Sequence, residues 1–83
     1  MNKAKLIAEF DRAQKDSDYS FVILEIVAEG TREFIVVPRE SFADKLAFYK
    51  RSYTDDLVHV MNKNVSITSF AAVKHILTNT MFM

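Results

Sequence analysis

Tyr19–Pro38, YSFVILEIVAEGTREFIVVP, is the stretch that decides the fold. Val22, Ile23, Ile26 and Val27 are β-branched, and Tyr19 and Phe21 are aromatic, so Tyr19–Ala28 reads as a strand. Glu29-Gly30 reads as a hairpin turn, with the chain's single glycine at a positive-φ position. Arg32–Val37 is the return strand, and Pro38 closes it by removing a ladder donor. A two-residue loop sets Ala28 against Thr31, Leu24 against Ile35 and Val22 against Val37; a three-residue loop would shift this register. With the shorter loop, Val22, Leu24, Ile26, Ile35 and Val37 share one sheet face. Phe21, Ile23, Phe34, Val36 and Glu25 share the other, with Arg32 diagonal to Glu25 and within reach of a charge pair.

Helices flank the hairpin. In Asn2–Lys15, Leu6, Phe10 and Ala13 recur at helical spacing, Ile7 widens the same face, and Asn2 suits the N-cap. Lys5–Glu9 and Asp11–Lys15 are candidate i,i+4 ion pairs on the wet side. Asp16-Ser17-Asp18 supplies turn-forming side chains at the end. Ser41-Phe42-Ala43-Asp44 resembles a capping box and opens a second helix to about Tyr53. Phe42, Leu46, Tyr49 and Tyr53 form its apolar stripe, while Phe48 falls on the far side between Asp44 and Arg51.

Leu57–Met61 reads equally as more helix or as a strand. Asn62-Lys63-Asn64 reads as a turn and Val65-Ser66-Ile67 as a short third strand beside the hairpin. Thr68 or Ser69 would cap a last helix over Phe70–Asn79, with Phe70, Val73, Ile76, Leu77 and Met81 on one face. Met81-Phe82-Met83 is an apolar tail, to be docked or to form part of an interface. The order α-β-β-α-(β)-α makes the fold class α+β, one domain over residues 1–83.

At 83 residues the chain has room for one domain, and 49% hydrophobic with 27% charged residues is an ordinary globular balance. The absence of Cys excludes disulfides, thiolate metal sites and cysteine nucleophiles. Lys3, Lys5 and Glu9 break any apolar run over Met1–Phe10, and runs such as Phe21–Leu24 fall far short of the roughly 20 residues that cross a bilayer. The expectation is a soluble, cytoplasmic protein with no membrane partner.

The inventory of reactive groups is short. His59 and His75 stand alone, with no ligand at metal spacing, and Asp55-Asp56 lacks the alternating oxygens of a calcium loop. One glycine cannot build a P-loop, a dinucleotide fingerprint or a nucleophile elbow. Glu25 interrupts an apolar strand and is either buried with a raised pKa or a rim partner of Arg32. No metal, no cofactor and no enzymatic activity are expected.

Two kinds of binding remain. Arg39, Lys45, Lys50 and Arg51 give Arg39–Tyr53 a local charge of +2 against Glu40 and Asp44, and Phe48, Tyr49 and Tyr53 interleave with them. That pattern would suit nucleic acid. The chain's overall charge is zero, however, and a solvated helix face explains the segment better. Protein binding is the leading expectation, because Phe48 faces water, the second sheet face is mostly apolar and the terminus is apolar; helices that sandwich the sheet, with the tail folded back, would account for the same residues equally. Phe48, Arg51, Phe21, Phe34 and Phe82 are the candidate interaction residues. The partner is a protein of unspecified identity or a second copy of the chain.

Phe42–Phe70 resembles small proteins of bacterial phages and prophages, through Lys45-Leu46-Ala47-Phe48-Tyr49, Tyr53-Thr54-Asp55-Asp56-Leu57 and Val65-Ser66-Ile67. Size and helix–hairpin–helix order are also similar to some phage-encoded anti-CRISPR proteins. That resemblance implies a non-enzymatic inhibitor that occupies a host protein's surface. Many such proteins are acidic DNA mimics; neutrality argues against mimicry here.

Overall fold

The computed structural model describes residues 2–74. Two helices and a four-stranded antiparallel sheet make an α+β fold. Helix α1 (Lys3–Lys15) starts where the Asn2 side chain accepts a hydrogen bond from the Lys5 N–H. It buries Leu6, Phe10 and Ala13. Strands β1 (Phe21–Ala28) and β2 (Thr31–Pro38) form the hairpin in the two-residue register, with Ala28 opposite Thr31 and Leu24 opposite Ile35. Glu29 (φ 52°) and Gly30 (φ 80°) both lie in the left-handed region, as a hairpin turn matched to strand twist requires.

A 3-10 turn (Arg39–Ser41) leads into α2 (Phe42–Ser52). Ser41 makes no side-chain cap, so the capping box expected there does not form; the turn's own backbone bond, Phe42 N–H to Arg39 O, tightens the entry instead. No helix continues through the ambiguous 57–61 stretch, in which only Val58–His59 is strand, the short β3. Before it, Leu57 is fully buried at φ 63°, a strained position for a bulky residue. Its N–H donates to Thr54 O and its carbonyl accepts from Ile67 N–H, which holds it there.

Strand β4 (Asn62–Val73) overturns two expectations. The turn lies at Val60-Met61, not at Asn62-Lys63-Asn64, and is closed by Met61 N–H donating to His59 Nδ1. The helix expected from Phe70 is strand as far as Val73; residues 75–79 of that expectation, and Met81-Phe82-Met83, lie outside the described residues. A bulge interrupts the strand's alternation just before the expected helix start at Phe70. Ile26 pairs with Ile67 but Glu25 pairs with Ser69, leaving Thr68 as the extra residue. Phe70 and Val73, which the expected helix sets on one face, pair with Leu24 and Phe21 and so lie on opposite faces of the sheet.

The strand order is β2-β1-β4-β3. Both helices pack on the face carrying Val22, Leu24, Ile26, Val37 and Ile67, and these join Leu6, Phe10, Phe42, Leu46, Tyr49, Tyr53 and Leu57 in one core. Phe10 meets Phe42 edge-on at 5.7 Å between ring centres. Arg39 fastens the cover: its guanidinium donates to the carbonyls of Ala13, Gln14, Asp16 and Tyr19 at 2.6–3.2 Å. It thus satisfies the carbonyls that the end of α1 leaves open. No helix among the described residues is long and apolar enough to cross a membrane.

Candidate interaction surface

The other sheet face carries no helix among the described residues. Alternation places Phe21, Ile23 and Val27 of β1, Phe34 and Val36 of β2, and Ala71 and Val73 of β4 on it. Phe34 is 66% exposed and Val36 47%, while Phe21, Ile23 and Val27 are half-buried in the strand that lies inside the sheet. Polar side chains interrupt this surface: Glu25, Arg32, Ser66 and Ser69 share it. Glu25 Oε2 lies 3.1 Å from Arg32 Nε, and Oε1 accepts from the Thr68 hydroxyl at 2.7 Å. Glu25 is therefore the rim partner of Arg32 and not an isolated buried acid. The bulge residue Thr68 supplies its second bond, a partner that nothing in the linear pattern marks.

The five candidate residues do not converge. Phe21 and Phe34 belong to the helix-free sheet face, Phe48 and Arg51 to the helical layer, and Phe82 lies outside the described residues. Phe48 is 39% exposed, packs edge-on to Tyr49 at 5.5 Å, and has Lys45 Nζ and the Arg51 guanidinium 5.8 and 6.0 Å from its ring centre. These cations cover part of the ring.

The basic segment 39–53 is largely consumed by the fold. Arg39 is spent on backbone carbonyls, and Tyr49 and Tyr53 are buried. Burial raises both phenols, Tyr49 to about 12, so neither ionises near neutrality. Lys45, Phe48, Lys50 and Arg51 remain at the surface.

A shallow depression of about 500 Å³ lies between α1 and β4, lined by Lys5, Ala8, Glu9, Arg12 and Phe70. The i,i+4 pairs expected on α1 are absent among the described residues; Glu9 turns to Arg12 at 2.8 Å instead. Its Oε2 also accepts the Ala72 N–H at 2.8 Å. The Arg12 hydrogen bond, helped by that N–H, holds the Glu9 carboxyl below its ordinary range despite partial burial. Glu9 thereby caps a backbone donor of β4. No cluster of three metal-ligating side chains occurs among the described residues.

Sequence reasoning missed Val60 (53% exposed) and Met61 (84%), the apolar tip of the β3–β4 turn. The signal was present in two apolar residues set between His59 and Asn62-Lys63-Asn64. Comparison with models of protein families, with curated proteins and with solved structures found no match to this chain.

Proposed function

We propose that this protein is a small non-enzymatic interaction module, of the kind a phage would use to inhibit a host protein, and that it works by seating the helix-free sheet face on a partner protein. The observation carrying this reading is the apolar face of Phe21, Ile23, Val27, Phe34 and Val36, on which no helix of the described residues lies. An apolar patch rimmed by charge, here Glu25 and Arg32, is the usual mark of a binding surface. The spent Arg39 and buried Tyr49 and Tyr53 weigh against the 39–53 segment as a nucleic-acid site.

The test is affinity capture from source-cell lysate, with and without nuclease, using the parent chain and a Phe21→Thr/Ile23→Thr variant. Thr keeps strand propensity while removing apolar surface. The expected result is one protein that survives nuclease and is lost with the variant. Recovery of nucleic acid, or capture indifferent to the variant, would overturn the reading.

A further inference from the structure

The two edges of the sheet are treated differently. On the β4 side, β3 pairs with the first half of the strand and the Glu9 carboxylate takes the Ala72 N–H. On the other side, β2 runs for eight residues with no partner on its outer edge among the described residues. Such a strand is a template for pairing.

The hairpin fixes which groups that edge offers. In a two-residue hairpin the flanking residues, here Ala28 and Thr31, exchange hydrogen bonds, and the pattern alternates from there. Glu33, Ile35 and Val37 therefore bond inward to β1, and Arg32, Phe34 and Val36 direct their N–H and C=O outward. An independent contact agrees with this phase: Glu29 N–H donates to Asn64 O, so odd-numbered positions along β1 and its turn serve β4. Pro38 falls in the outward set, where its missing N–H costs no ladder bond and ends the pairing surface.

We infer that β2 pairs antiparallel with β2 of a second copy of this chain, about a two-fold axis at Phe34, to give one continuous sheet. An axis at Arg32 sets Arg32 on its own mate and one at Val36 sets Phe34 against Pro38, which leaves three central axes. Centred on Glu33, the pairing sets Glu33 against its own symmetry mate, like charge on like charge. Centred on Ile35, it sets Arg32 against Pro38 of the second copy, and the Arg32 carbonyl meets no donor. Centred on Phe34, Phe34 meets its mate and Arg32 meets Val36 in both directions, so every outward N–H finds a carbonyl. Phe34 then stacks on Phe34 across the axis on the helix-free face. The chain's net charge of zero removes the long-range repulsion that would oppose two copies meeting. The edge pairing stands on strand geometry alone; only its use, doubling the face a partner meets, rests on the interaction reading above.

The test is sedimentation equilibrium of the full chain up to about 1 mM, with amide exchange of Arg32, Phe34 and Val36 followed by NMR at several concentrations. The expected result is a dimer whose formation slows exchange at these three amides. Val36→Pro removes an outward N–H and should abolish the dimer. Phe34→Arg, on a 66% exposed side chain whose loss leaves the core intact, should weaken it about tenfold by setting charge on charge. A monomer throughout overturns the inference, as does a dimer indifferent to both variants. Protection that does not change with concentration, in a monomer, means that the edge is covered within the chain and also overturns it. A monomer that still captures its partner protein through Phe21 and Ile23 sinks the dimer and leaves the proposed function standing; a dimer that captures nothing does the reverse.

Discussion

Strands β1 and β2 present two faces of nearly equal apolarity, and the fold uses them in opposite ways. Val22, Leu24 and Val37 on one face are fully buried; Phe34 and Val36 on the other are 66% and 47% exposed. Residue type does not separate the two sets, since both hold aliphatic or aromatic side chains suited to a strand. Among the described residues, what separates them is cover. Both helices lie on the first face. Burial of a sheet face thus depends on which side the connections carry the helices to.

The largest effect should come from the covered face. Leu24→Ala removes a fully buried side chain in a central strand, flanked by Ile35 on β2 and Phe70 on β4. Such truncations cost about 2–5 kcal/mol, a large part of a small domain's stability. Urea unfolding should show the midpoint falling steeply at unchanged slope. A loss within about 0.5 kcal/mol, the range of surface substitutions, would mean that the two faces are assigned the wrong way round.

A smaller loss should follow from loosening the cover without touching the core. Arg39→Met keeps an apolar stem but gives up the hydrogen bonds to Ala13, Gln14, Asp16 and Tyr19 carbonyls. Hydrogen bonds from a charged donor are worth about 1.5–3 kcal/mol, and some of these carbonyls can turn to water, so about 2 kcal/mol is expected. Amide exchange should rise first in the last turn of α1, before β1. Uniform loosening of the whole chain would instead mean that Arg39 stabilises the core generally and not the seat of α1.

Much of this comparison was legible in the sequence, and the parts that were not share a cause. Asn2 capping, the stripe of Leu6, Phe10 and Ala13, the hairpin register and the Glu25–Arg32 pair follow from local periodicity and one turn. The strand β4 did not beyond Ile67, because the bulge at Thr68 breaks period two just ahead of Phe70 and Val73, which fall at helical spacing. Arg39 read as part of a basic surface, since its four carbonyl partners lie 20–26 residues away and carry no mark in the sequence. Glu9 read as a partner of Lys5 for the same reason: the Ala72 N–H that helps orient it is 63 residues distant. As for the interaction surface, its residues were visible as an apolar face, but sequence periodicity could not say that Phe48 and Phe34 stand on different layers.

The smallest effect should come from the uncovered face. Phe34→Thr deletes an aromatic ring from the same hairpin that holds Leu24, yet that ring is 66% exposed and little of its area leaves water when the chain folds. Its cross-strand neighbour Glu25 keeps both Arg32 and Thr68. Thr is β-branched and favours strands, so the backbone preference is retained. Measured by thermal melting at low protein concentration, where copies do not meet, stability should change by no more than about 0.5 kcal/mol. The contrast with Leu24→Ala, one hairpin and two faces, is the quantity of interest. A loss of about 2 kcal/mol or more in the dilute monomer would mean that Phe34 packs inside the folded chain. The helix-free face would then be a second core surface, and the proposed function would lose its only apolar sheet surface among the described residues.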